Sequence, residues 1–144
     1  ALFNKRSGMM GMTGFGDLRE VHRLVGEGNE DAKLALDVYV PRIVGYIGNY
    51  TAQMGGVDVI TFTAGVGEND DVVRKMVCDK LAPFGVKLDE EKNATRSKEP
   101  RIISTPDSKI TICVIPTNEE LAIARKSAAI AEAGEDTYGN VFSK

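Results

Sequence analysis

The sequence predicts an α/β domain, a mixed sheet flanked by helices, and three observations predict it. Val57-Asp58-Val59-Ile60-Thr61-Phe62 is a β-branched run that stops at Gly65 and Gly67 and passes into a helix start. Such side chains favour a pleated surface, and so short an apolar run reads as a strand buried on both faces. Lys109-Ile110-Thr111-Ile112-Cys113-Val114-Ile115 is a second apolar run, and it too hands over to helical spacing, after Pro116. Between Ala32 and Met54, apolar residues recur every three or four positions, the stripe of a long amphipathic helix.

In order along the chain, Leu2 to Gly16 holds Gly8, Gly11, Gly14 and Gly16, a density that predicts loop and turn. Asp17 is a predicted N-cap, with Glu20 three residues on to complete a capping box. Leu18, Val21 and Val25 follow at helical spacing until Gly26 and Gly28 stop the helix. Asn29 caps the long helix, and its stripe is Ala32, Leu36, Tyr39, Ile43, Ile47, Tyr50 and Met54. Pro41 lies inside it. An interior proline removes a hydrogen bond at a cost of about 3 kcal/mol, so a kink or two meeting helices are expected there. Gly55-Gly56 ends the helix.

Asn69 is the predicted N-cap after the glycine turn, with Asp70 and Asp71 in the first helical turn and Val73, Met76, Val77 and Leu81 on the apolar side. Pro83 and Gly85 end that helix. Gly85 to Leu88 is expected as a short strand, and Asp89 to Lys98 as an exposed helical turn and loop. Arg101 to Ser104 and Lys109 to Ile115 are expected to pair as a hairpin around Thr105-Pro106-Asp107-Ser108, a turn with proline at its second position. The second strand of the pair is expected to be central. Thr117 and Glu120 form a T-x-x-E capping box, and Leu121, Ala124, Ala128 and Ala131 follow at helical spacing, the small alanines allowing close packing on the sheet. Residues 1–133 are the expected domain, and 134–144 a frayed tail.

The 144 residues suit one domain, and 42% hydrophobic with 27% charged residues is a globular composition. A net charge of −3 and the lack of a basic run with interleaved aromatics argue against a nucleic-acid partner. No apolar stretch approaches the ~20 residues that cross a bilayer, and no signal-peptide pattern is present, which argues against a membrane partner. Cys78 and Cys113, on a predicted helix and a predicted strand, read as reduced thiols of a cytoplasmic protein.

Open α/β sheets collect ligands at the carboxyl ends of their strands, which points to the turn Gly65 to Asn69. Free N–H groups at a helix start favour an anion or a polar ligand edge. The turn lacks the lysine of a G-x-x-x-x-G-K-[ST] loop and the third glycine of G-x-G-x-x-G. Glu68, Asp70 and Asp71 repel a phosphate placed in it, which leaves the sugar or base of a nucleotide. On spacing alone, an ordinary strand–helix turn fits equally well. On pattern alone, Glu119 and Glu120 read as helix-dipole and cap residues, Arg19 as a solvated charge, and His22 as a surface or cap-adjacent histidine.

Phe62-Thr63-Ala64-Gly65-Val66-Gly67-Glu68-Asn69 resembles the adenosine motif of acetate kinases, F-T-[AG]-G-I-G-E-N, with valine for isoleucine at Val66. Asp70, the next residue, stands where that family more often carries serine. Gly11-Met12-Thr13-Gly14-Phe15-Gly16-Asp17-Leu18-Arg19-Glu20 resembles its G-[IL]-[ST]-G…[ST]-D-x-R-[DE] loop, one residue shorter than in many members and with Gly16 for a serine. Pro116-Thr117-Asn118-Glu119-Glu120-Leu121 resembles P-T-N-E-E-L. The three motifs stand in the family's order, and the resemblance runs from Leu2 to about Arg125.

The resemblance implies an actin-like ATPase (ribonuclease-H-like) fold, of which this chain is expected to be a C-terminal-domain fragment, incomplete at its N-terminal side. It implies transfer of the γ-phosphoryl group of ATP to acetate, giving acetyl phosphate and ADP, with Mg2+. Carried over residue by residue, Asp17, Leu18, Arg19, Gly65, Val66 and Asn69 contact the nucleotide and Glu119 holds the magnesium. The family's acetate pocket, catalytic arginines and histidines, and N-terminal phosphate-binding residues have no counterpart here, so no catalytic residue is assigned and the chain alone is expected to be inactive. The family dimerises largely through surfaces of this domain, so a homodimer is expected, with the Ala32 to Met54 stripe as either interface or core. Propionate kinases share these motifs and give an alternative acceptor. A non-catalytic dimerisation module is the alternative from another class.

Overall fold

The computed structural model describes residues 2–133. Its sheet has three strands, β1 (Val59–Phe62), β2 (Arg101–Ile102) and β3 (Thr111–Val114), in the order β1-β3-β2. β1 runs parallel to β3, with Ile60 opposite Ile112 and Phe62 opposite Val114. β2 runs antiparallel to β3, with Ile102 opposite Cys113. The sheet is therefore mixed and β3 central, as the sequence predicts. The hairpin turn closes where the Ser108 N–H donates to the Thr105 carbonyl at 3.1 Å. The expected strand at Gly85 to Leu88 reduces to one bridge, Leu88 to Ser104.

The helices are α1 (Leu2–Lys5), α2 (Gly8–Thr13), α3 (Leu18–Gly26), α4 (Glu30–Met54), α5 (Ala64–Asn69), α6 (Asp71–Lys80), α7 (Glu90–Ala94) and α8 (Glu119–Ala133). A short 3-10 turn, Ala82–Phe84, follows α6 before Gly85 takes a left-handed φ of +91°. The glycine-rich start is helical rather than looped. Only Gly8 and Gly14 take positive φ there, while Gly11 sits inside α2, where a Cβ would lie 2.9 Å from the Arg6 carbonyl oxygen. The α4 cap is as expected, with the Ala32 N–H donating to Asn29 Oδ1 at 2.9 Å. α4 does not divide at Pro41. It runs unbroken to Gly55, because the missing N–H costs one bond while the helix keeps the packing of Ala32, Ala35, Leu36 and Val40. The stripe fades beyond this, and Tyr50 and Met54 are exposed.

One core joins α4 and α6 to a single face of the sheet. Val40, Val73, Val77, Cys78 and Leu81 pack with Ile103, Ile110, Ile112 and Val114, and Ile60 and Phe62 lean on that cluster. The opposite face is open, so the expectation that β1 is buried on both faces fails. β1 alternates exposed and half-buried positions, and Val59 is 52% exposed. A strand buried on both faces needs helices on both. α8 does not supply the second layer, since its described side chains are exposed, and its alanines do not pack on the sheet. Cys78 and Cys113 are free thiols, and burial pushes Cys78 up to about 11. No described helix is long and apolar enough to cross a membrane. The tail read at 134–144 lies outside the described residues.

Candidate functional site

Because β1 and β3 are parallel, their carboxyl ends lie together, and side chains tie them. The Ile115 N–H donates to the Phe62 carbonyl at 2.9 Å. The hydroxyls of Thr63 and Thr117 lie 2.7 Å apart, and the Ala64 N–H donates to Thr117 Oγ1 at 3.2 Å. The Thr117 N–H donates to Glu68 Oε1 at 2.7 Å, and this bond holds the Glu68 carboxyl below the usual carboxylate range. Thr117 is thereby committed to the strand ends and does not cap α8. Asn118 caps it instead, accepting from the Leu121 N–H at 2.9 Å.

The turn after β1 is itself helical, as α5. Its strained backbone is at Ala64, with φ +58°, not at either glycine. A left-handed residue with a Cβ costs about 1 kcal/mol, and the Thr117 hydroxyl holds it in place through Thr63 and the Ala64 N–H. Gly67 serves close approach, since a Cβ there would lie 3.1 Å from the Phe62 carbonyl carbon. Asn69 ends α5 rather than capping α6, and its Nδ2 donates to the Gly65 carbonyl at 2.9 Å. The cap is Asp70, whose Oδ1 accepts from the Val73 N–H at 2.9 Å. The predicted cap was displaced by one residue because the glycine turn continues as helix through Asn69.

Asp17 caps α3 as predicted, accepting from the Arg19 N–H at 2.9 Å. Its carboxylate also takes Arg19 Nε at 3.0 Å and Nη2 at 2.5 Å. That pairing lowers Asp17 from 3.8 to about 2. Glu20 pairs with Arg23 at 2.9 Å instead of completing a capping box.

The starts of α3 and α6, together with α5, enclose an open cleft of about 910 Å³. Asp17, Leu18, Arg19, Gly65, Val66 and Asn69 all line it, so six candidates from two distant stretches meet in one place. Glu119 does not line it. It stands exposed at the start of α8, two residues past Thr117. Among the described residues no cluster of three or more His, Cys, Asp or Glu side chains is placed to hold a metal.

The structure adds residues that the sequence reading did not assign to a ligand. Tyr39, Asp70, Asp71 and Arg96 line the cleft, and so does His22. His22 is not a surface histidine: its Nε2 lies 2.8 Å from Asp70 Oδ2, and the pair is largely buried. Arg74 is buried with four hydrogen bonds and no carboxylate partner. Its Nη1 donates to the carbonyls of Gly67 at 2.9 Å and Glu68 at 3.0 Å. Its Nε and Nη2 donate to Asn93 Oδ1 at 2.8 Å and to the Asn93 carbonyl at 2.7 Å. No sequence spacing announces either arrangement, because the partners lie on different helices.

Among the described residues, no serine, threonine or cysteine lines the cleft. It offers apolar patches at Leu18, Val66 and Val72 beside polar edges at Asn69, Asp17 and Arg19, and its volume suits a small organic ligand. The cleft opens beside α5, the helix that follows the carboxyl end of β1 in an α/β protein with a mixed sheet. Residues 1–125 match the model of the acetokinase family, and the chain belongs to that family. It is 54% identical over 132 residues to the acetate kinase of Desulfotalea psychrophila, covering 92% of this chain and 33% of the relative. The solved acetate kinase of Porphyromonas gingivalis superposes with a TM-score of 0.80 at 44% identity, covering 90% of this chain and 33% of that one. The solved propionate kinase of Francisella tularensis superposes with a TM-score of 0.78 at 38% identity, covering 87% and 32%. The chain thus spans about a third of the length of the curated relatives it matches. The fold is part of the actin-like ATPase fold expected above, with its mixed sheet and packed helices.

Proposed function

We propose that the cleft holds the adenosine end of ATP or ADP, and that the chain is the nucleotide-binding part of an acetate kinase. That enzyme moves the γ-phosphoryl group of ATP to acetate, yielding acetyl phosphate and ADP. The supporting observation is the convergence of Asp17, Leu18 and Arg19 with Gly65, Val66 and Asn69 on one cleft. In this reading Leu18 and Val66 give apolar surface to the base, while Asn69 and the Asp17–Arg19 pair give polar edges to base and sugar. Asp70 and Asp71 repel phosphate and so turn the phosphate end away from α5.

Magnesium keeps several waters and takes one or two carboxylates beside the phosphates of a nucleotide. Glu119, an exposed carboxylate beside Glu120 in the first turn of α8 beyond the end of β3, fits such an ion rather than one caged wholly by protein. Glu119 would hold the ion, which when bound neutralises phosphate charge.

Calorimetric titration with ADP, with and without Mg2+, tests the reading. ADP is expected to bind, Asn69→Ala to weaken it about tenfold, and Glu119→Ala to remove only the magnesium dependence. A folded chain that binds no ADP refutes the proposal. The chain alone is further proposed to lack kinase activity. With acetate, ATP and Mg2+ it is expected to make no acetyl phosphate, and turnover that co-purifies with the chain and is lost in Asn69→Ala would show otherwise.

The likeness to a propionate kinase keeps propionate as the alternative acceptor. A cytoplasmic homodimer completes the proposal, since Tyr46, Tyr50 and Met54 expose apolar surface on α4. Concentration-dependent association without ADP binding would instead favour a non-catalytic dimerisation module.

A further inference from the structure

His22 and Asp70 are 48 residues apart in the chain, yet His22 Nε2 and Asp70 Oδ2 meet at 2.8 Å. The two side chains are 22% and 12% exposed, so water competes weakly for the contact. Asp70 is held in two further directions. Its Oδ1 caps α6 through the Val73 N–H, and its own N–H donates to the Val66 carbonyl at 2.9 Å. One residue therefore joins α5, α6 and, through His22, α3.

On α3, Leu18 and Arg19 precede His22 by four and three residues and share its face. Leu18 and Arg19 line the cleft from α3 and Gly65, Val66 and Asn69 line it from α5, with His22 and Asp70 meeting between these two walls. We infer that His22 is a positioning residue for the nucleotide, clasping Asp70 so that the two walls keep a fixed separation. Asp70 is also where this chain departs from the motif it resembles. A carboxylate has two oxygens, one for the α6 cap and one for the histidine, whereas the hydroxyl of a serine is a single, shorter reach. The clasp rests on the nucleotide reading of the cleft.

The test is titration of ADP into the full chain and into His22→Ala, His22→Gln, Asp70→Ser and the His22→Ala/Asp70→Ser double variant. Serine keeps an oxygen for the α6 cap, so Asp70→Ser guards against simple unfolding. The dissociation constant is expected to rise about tenfold in each of His22→Ala and Asp70→Ser. The double variant is expected to be no weaker than either, since each change removes the same contact. His22→Gln, whose amide nitrogen can donate to the same oxygen, is expected to recover affinity to within about threefold. Unchanged binding in His22→Ala, losses that multiply in the double variant, or no recovery with glutamine each overturn the clasp while leaving the nucleotide reading intact. Failure of the unsubstituted chain to bind ADP overturns both.

Discussion

Arg74→Ala is expected to lower the free energy of unfolding by about 3 kcal/mol, read from urea melts at unchanged slope. Arg74 is 2% exposed and makes its hydrogen bonds to carbonyl oxygens and the Asn93 amide oxygen, none to a carboxylate. Alanine leaves those acceptors facing a void. Each unmet buried acceptor costs roughly 1–3 kcal/mol, while the relief of desolvating a guanidinium works in the other direction. Burial does disfavour the charge, and it pushes Arg74 below its ordinary range. The loss outweighs that relief because four hydrogen bonds from one charged donor go together, although no opposite charge is stranded to add to it. Arg74→Lys is expected to recover less than half, since one ammonium cannot span both Asn93 and the carbonyls closing α5. A loss below about 1 kcal/mol would mean that water reaches those oxygens, and the buried-anchor account would be wrong. The same variant is expected to weaken ADP binding, because Gly67 and Glu68 end the turn whose Gly65, Val66 and Asn69 line the cleft.

What the sequence disclosed follows the range of the interactions concerned. Asp17 and Asn29 were legible as caps because a cap is a contact of two or three residues. The central place of β3 was legible from its apolar length. Between neighbouring cap formers the sequence was silent. Asn69 and Asp70 both cap well, as do Thr117 and Asn118, and the choice fell to what else each side chain meets. Asn69 turns back to Gly65, and Thr117 is taken by the end of β1. The strained residue had a faint signal, since the motif resembled at position 64 accepts glycine as well as alanine, and glycine takes positive φ without strain. His22 with Asp70, and Arg74 with Asn93, had none, because only the packed fold brings them together. The six nucleotide candidates were placed by resemblance, and their meeting in one cleft is a long-range fact no local pattern contained.

The burial of the sheet is where local pattern misled, and a pair of substitutions tests the corrected picture. Ile112→Ala is expected to cost about 3–4 kcal/mol. Ile112 is fully buried on the central strand, against α4 and α6, and alanine leaves a cavity that the packed helices cannot refill. Its backbone bonds to Ser104 and Ile103 survive, so the loss reports packing alone. Cys113→Ala, one residue on, is expected to cost less than about 1 kcal/mol. Cys113 points to the opposite face, where it is half-buried beside exposed Thr61 and Ile102. Period-2 alternation makes these adjacent residues reporters of the two faces. A sheet covered on one face gives a large contrast. Should both substitutions cost about 3 kcal/mol, the second face is buried in solution, by α8 or by another copy of the chain, and the apolar run at β1 and β3 would be that of a doubly covered sheet after all.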